Sequence, residues 1–123
     1  MIAFASRTGN VRYIVSRLDL PAVQIEEDRV LTHSFLLFTY TDGFGDVPGE
    51  VSRFMQRNGA NCRGVIVSGN SNFGHSVFGA AGEKIARQWK IPLVRKFDLR
   101  GIPEDYTAVQ QYYESAFQKE LIG

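Results

Sequence analysis

Cysteine is nearly missing from this sequence: Cys62 stands alone among 123 residues. One thiol excludes an intrachain disulfide framework and any cysteine-based zinc site of regular spacing. It fits a reducing, cytoplasmic setting. Histidine is almost as scarce, with only His33 and His75 and no HxxxH spacing, so no metal site is expected. Neither sign of charge dominates: 14 Lys and Arg stand against 13 Asp and Glu, a net of +1. That balance is neither a nucleic-acid footprint nor an acidic tail. No apolar run approaches the ~18 residues of a membrane helix, and the start lacks the basic flank of a secretory signal. Repeats, low-complexity tracts and linkers are also missing. What remains is ordinary globular composition, 44 % hydrophobic and 22 % charged. The length suits one domain, residues 1–123, with a single core.

Apolar runs and turn signals alternate along the chain. Ile2 to Ala5 is a short apolar strand of the kind covered on both faces. VRYIVSRL follows, with Val11, Ile14, Val15 and Leu18 at helical spacing, and Pro21 ends it. Strands are expected at Ala22–Ile25, Ser34–Tyr40 and Gly64–Ser68, and within Ile91–Leu99. Helices are expected over Val47–Gln56, with Asp46 as N-cap and Pro48 in the first turn, and over Val77–Trp89. The last helix spans Glu104–Leu121, where Tyr106, Val109, Tyr113 and Phe117 form an apolar stripe. Five strand–helix alternations call for a parallel sheet with helices on both faces. The length fits an α/β flavodoxin-like three-layer sandwich, a five-stranded parallel sheet of order 2-1-3-4-5. Ligands then sit beyond the carboxyl ends of the strands, at the switch between strands 1 and 3.

Three unusual loops follow strands 1, 3 and 4. The first, Ser6-Arg7-Thr8-Gly9-Asn10-Val11, offers backbone N–H groups at a helix N-terminus, neutral side-chain donors and a permissive glycine. A phosphate is the ligand suggested. It is neither a GxxxxGK[ST] loop nor a GxGxxG fingerprint. The second runs Thr39-Tyr40-Thr41-Asp42-Gly43-Phe44-Gly45-Asp46. Asp42-Gly43 supplies a turn, and the second glycine suggests close approach of backbone to a flat ligand. The alternative is a plain turn with Phe44 packed inward. The third, Ser68-Gly69-Asn70-Ser71-Asn72-Phe73-Gly74-His75, adds amides, an aromatic and glycines, which suit a planar heteroaromatic. A phosphate cradle at one end of a crevice and two aromatic glycine loops at the other match the shape of FMN.

The SRTGN start resembles the flavodoxin phosphate loop. TYTDGFGDVP together with SGNSNFG, in so short a chain, resembles more specifically the NrdI family, over nearly the whole length. The resemblance implies non-covalent FMN. It further implies that the reduced flavin passes electrons to dioxygen and that superoxide reaches the dimanganese centre of the radical-bearing subunit of class Ib ribonucleotide reductase, which then forms its tyrosyl radical. A separate electron donor would reduce the flavin. By motif match, Ser6, Thr8, Gly9, Asn10 and Val11 would hold the phosphate, with Arg7 directed to it or to a partner. Thr39, Tyr40, Thr41, Gly43, Phe44 and Gly45 would line one side of the flavin, with Gly43-Phe44 as the peptide near N5. Asn70, Asn72, Phe73 and Gly74 would line the other.

Competing readings are a general electron-transfer flavodoxin, a signalling receiver domain and a cofactor-free scaffold. Electron carriers of this fold are strongly acidic, unlike this chain. A receiver needs an acidic cluster after strand 1, where this chain has Ser6-Arg7-Thr8. A scaffold leaves the three loops without a purpose. His75 reads as a surface or capping residue and Cys62 as a small semi-buried one. The charged runs Glu26–Arg29 and Arg95-Lys96 read as solvated.

Overall fold

The computed structural model describes residues 1–122, with side chains through Phe117. The sheet is five-stranded and parallel: β1 (Ile2–Phe4), β2 (Ala22–Gln24), β3 (Phe35–Tyr40), β4 (Cys62–Gly69) and β5 (Leu93–Asp98), in the order β2-β1-β3-β4-β5. Helices α1 (Asn10–Leu18), α2 (Gly49–Asn58), α3 (Ala80–Trp89) and α4 (Pro103–Ile122) connect or follow the strands. This is the α/β architecture that the alternation of elements predicts.

Central β3 shows why both faces must be covered. Phe35 and Leu37 point to one side and Leu36 and Phe38 to the other, and all four are buried. Leu36 and Phe38 join Val11 and Ile14 of α1 and Val109 of α4. Phe35 and Leu37 join Val51 and Phe54 of α2 and Ile85 of α3. Strand order reverses between β1 and β3, so α1 and α2 lie on opposite faces. The loops after β1 and β3 diverge there and leave a crevice.

Several boundaries differ from the sequence reading, each for a local reason. α1 stops at Asp19, in left-handed conformation at φ 52°, before Pro21 is reached. α2 starts at Gly49 after Pro48, and Asp46 does not cap it. Asp46 instead exchanges backbone hydrogen bonds with Asp42, at 2.9 and 2.7 Å. α3 begins only at Ala80. Gly79 at φ 69° breaks the run, and the aliphatic chain of Lys96 fills the space beside it. β4 is longer than expected and takes in Cys62, which pairs with Phe35. Arg95 and Lys96 are not simply solvated. Arg95 bonds Asp105 at 2.7 Å, and Lys96 pairs with Glu83. Tyr106, Tyr113 and Phe117 pack on the core as expected, while Gln118 to Leu121 of the same stretch lie outside the described side chains. Among the described residues no helix is long and apolar enough to cross a membrane.

Candidate functional site

The loop after β1 is built around one residue. Gly9 sits at φ 94°, ψ −8° and leads into α1 with no side chain capping the helix. A left-handed residue costs a glycine little. The N–H of Arg12 donates to Ser6 Oγ at 3.2 Å and that of Tyr13 to the Gly9 carbonyl at 2.9 Å. The N–H groups of Thr8, Gly9, Asn10 and Val11 meet no acceptor among the described residues. A Cβ built on Gly9 would meet nothing within 4 Å, so its positive φ rather than crowding calls for glycine there. Unpaired N–H groups at the positive end of a helix form an anion site. The Ser6 and Thr8 hydroxyls and the Asn10 amide stand around it.

The loop after β3 folds back on itself through the Asp42–Asp46 backbone pair. Gly43 and Gly45 both have positive φ, 49° and 110°. Their roles differ. Gly43 is exposed, and its carbonyl and the following Phe44 N–H have no partner among the described residues. Gly45 is buried against α3, where a Cβ would come within 3.0 Å of Ala80 Cβ. Its glycine therefore serves packing rather than ligand approach. Phe44 is 82 % exposed, which overturns the alternative of an inward-packed ring. Asp42 Oδ1 accepts from Gly43 N–H at 3.0 Å and from Arg7 at 2.6 Å. This ion pair ties the first loop to the second, and the Arg7 guanidinium also lies 5.1 Å from the centre of the Tyr40 ring. The Tyr40 hydroxyl donates to Glu50 at 3.0 Å. Burial first, and then the Glu50 carboxylate, push the Tyr40 phenol above its usual range. Lys84 stands 3.7 Å from Asp46, so both carboxylates of this loop have a cation beside them.

The loop after β4 is held by its own side chains. Asn70 Oδ1 accepts from Asn72 N–H at 2.9 Å, and Ser71 bonds Asp98 through both its N–H and its hydroxyl. Phe73 is 59 % exposed and Gly74 has φ 97°.

These loops meet in one crevice. Ser6, Arg7, Thr8, Asn10 and Val11 line its first end; Tyr40, Thr41, Gly43, Asn70 and Phe73 line the other. Of the remaining sequence-predicted residues, Gly9 shapes the loop from behind, and Phe44, Gly45, Asn72 and Gly74 lie off the walls. Thr39 is fully buried, its hydroxyl donating to the Tyr40 carbonyl at 2.9 Å. Ser68 and Gly69, within the third loop but not among its expected ring-lining residues, also line the crevice, as do Val77 and Leu99, which sequence reasoning missed. Leu99 stands at φ 56° beyond β5. Its N–H donates to the Gly69 carbonyl and its carbonyl accepts from Ser68 Oγ, both at 2.7 Å. The only signal for it is position, one residue past the strand next to β4.

An anionic end at α1 and a flat heteroaromatic end between Tyr40 and Phe73 fit this donor set. A phosphoacceptor site with bound magnesium does not. Arg7 occupies Asp42, and no carboxylate lines the crevice among the described residues. Cys62 lies elsewhere, 3 % exposed, and burial pushes its thiol up to about 11. His75 is exposed.

The model of the family described as NrdI flavodoxin-like matches residues 2–111. The chain is 37 % identical over 114 residues to the SPbeta prophage-derived protein NrdI of Bacillus subtilis, covering 89 % of this chain and 88 % of that one. It is 39 % identical over 121 residues to protein NrdI of Chromohalobacter salexigens, covering 89 % and 90 %. A solved short-chain flavodoxin associated with a non-canonical PDU bacterial microcompartment superposes with a TM-score of 0.71 at 17 % identity, over 96 % of this chain and 95 % of that one, which bears on the fold. The chain belongs to the NrdI flavodoxin-like family of FMN-binding proteins.

Proposed function

We propose that residues 1–123 form a single FMN-binding domain whose reduced cofactor supplies superoxide for assembling the dimanganese–tyrosyl radical centre of a class Ib ribonucleotide reductase small subunit, in the cytoplasm. The observation that carries the cofactor assignment is the set of unpaired N–H groups at the start of α1, facing a crevice with Tyr40 and Phe73 at its far end. When bound and reduced, the isoalloxazine supplies electrons to dioxygen.

The chain's own residues bind and orient. Thr8, Gly9, Asn10 and Val11 would donate to the phosphate, with the Ser6 and Thr8 hydroxyls completing the cradle. Arg7 is engaged by Asp42 at 2.6 Å, so these neutral donors carry the phosphate and Arg7 braces the loops. Tyr40 and Phe73 would flank the ring system, while Gly43, Gly69 and Asn70 offer backbone and amide groups to its edge. The Gly43–Phe44 peptide, whose carbonyl and N–H meet no partner among the described residues, would be free to reorient beside the edge of the ring system. The exposed Phe44 and Phe73 would meet the radical-bearing subunit.

Phosphate recognition is testable by quenching of flavin fluorescence. FMN is expected to bind at least about tenfold more tightly than riboflavin, the effect of a few charge-assisted hydrogen bonds. Equal binding of the two would overturn the assignment of the first loop.

A further inference from the structure

A second concavity lies beside the crevice, between α1 and the start of α4. One cavity of about 410 Å³ is walled by Tyr13, Arg17, Arg100, Ile102 and Tyr106, among others. A second, of about 280 Å³, shares Arg17 and Tyr106 with it and continues to Gln110 and Gln111. Together they form one groove. From Pro103 to Gln111 the helix rises about 12 Å, the span of roughly four extended residues.

The charge of this groove is one-sided. Arg7, Arg29, Arg53, Arg57 and Arg95 each face a carboxylate. Arg17 and Arg100 face none among the described residues, and no carboxylate lines either cavity. Arg100 is held in place without being neutralised. Its Nε donates to Asn10 Oδ1 at 3.3 Å, and its guanidinium lies 4.3 Å from the centre of the Tyr13 ring. The Tyr106 hydroxyl donates to the Arg100 carbonyl at 2.6 Å. The described acids of α4 leave the charge in place. Asp105 is turned to Arg95, and neither Glu104, exposed in the first turn, nor Glu114, bonded to Gln110 at the groove's far end, lines either cavity. Ile102, 58 % exposed, adds an apolar seat.

We infer that this groove binds an acidic peptide segment of a protein partner, its carboxylates on Arg17 and Arg100 and an apolar side chain against Ile102. An elongated groove with tyrosines beside its arginines suits a chain better than a lone anion. The inference does not depend on the FMN reading.

The test uses the full chain with FMN bound and two dye-labelled hexapeptides, EDFEDL and KKFKKL, followed by fluorescence anisotropy. At low salt, about 0.05 M where charge is weakly screened, EDFEDL is expected to bind at least about tenfold more tightly than KKFKKL. Arg17→Glu should weaken EDFEDL about tenfold while FMN stays bound. Arg87→Glu, on α3 across the sheet, should leave it unchanged. Arg17→Gln repeats the test if the reversal unfolds the chain. Equal binding of the two peptides, or an Arg17 variant that binds like the parent, would overturn the inference. So would complete displacement by millimolar inorganic phosphate, which would mark a free-anion site.

Discussion

Single positions set what the crevice can do. At Gly43, φ 49° is a conformation that costs a side-chain-bearing residue about 1–2 kcal/mol, and a Cβ there would stand 3.3 Å from Asp46 Oδ2. Gly43→Ala is therefore expected to leave the fold intact but hinder reorientation of the 43–44 peptide. Bound FMN should then show a potential shifted by roughly 40 mV for a one-electron step, and an unchanged redox titration would contradict that role. Cys62 tests the core. Its thiol ordinarily titrates at 9.0 and is pushed up to about 11, chiefly by burial. The folded chain then holds a proton that the unfolded chain releases. This contribution to stability is full below pH 9 and is lost as pH rises toward 11. Cys62→Ala should flatten that part of a urea-midpoint profile, and the native thiol should resist alkylation at neutral pH. Individual residues were also where the sequence misled. Gly45 looked like a ligand-facing glycine, yet it answers to Ala80 of α3, 35 positions away.

At the scale of elements, strands and helices were legible because their signals are local. Val11, Ile14, Val15 and Leu18 repeat at helical spacing, and all four are buried. The polar knot Ser6 to Asn10 marked the loop that the unpaired N–H groups now occupy. What stayed hidden depends on neighbours from other elements. Leu99 enters the crevice only because β5 lies beside β4. Arg95 looked solvated because its partner, Asp105, is on the next helix. That carboxylate accepts from Arg95 at 2.7 Å and from the Ile102 N–H at 2.9 Å while largely buried. Removing it strands both donors. Asp105→Ala should cost about 2–4 kcal/mol, read as a lower urea midpoint, with Asp105→Asn losing less. A midpoint within experimental scatter of the parent would show that α4 is anchored by its apolar face alone.

For the whole molecule, the weak net charge of +1 has a local counterpart. Asp42 stands against Arg7 and Asp46 against Lys84, so the loop after β3 adds no strong field of either sign to the crevice. FMN affinity should accordingly change by no more than about twofold between low and high salt, since neutral donors rather than free cations grip the phosphate. A mild field also puts little electrostatic penalty on a fully reduced, anionic flavin, which suits a donor to dioxygen better than a one-electron shuttle. The measurement that reaches the central claim is an anaerobic dithionite titration of the FMN-loaded protein, followed by air and a cytochrome c assay for superoxide. Reduction to the two-electron state with little one-electron species, then prompt oxygen uptake with superoxide dismutase-sensitive cytochrome c reduction, is the expected result. A long-lived one-electron-reduced flavin that ignores oxygen would contradict the account and mark a general electron carrier.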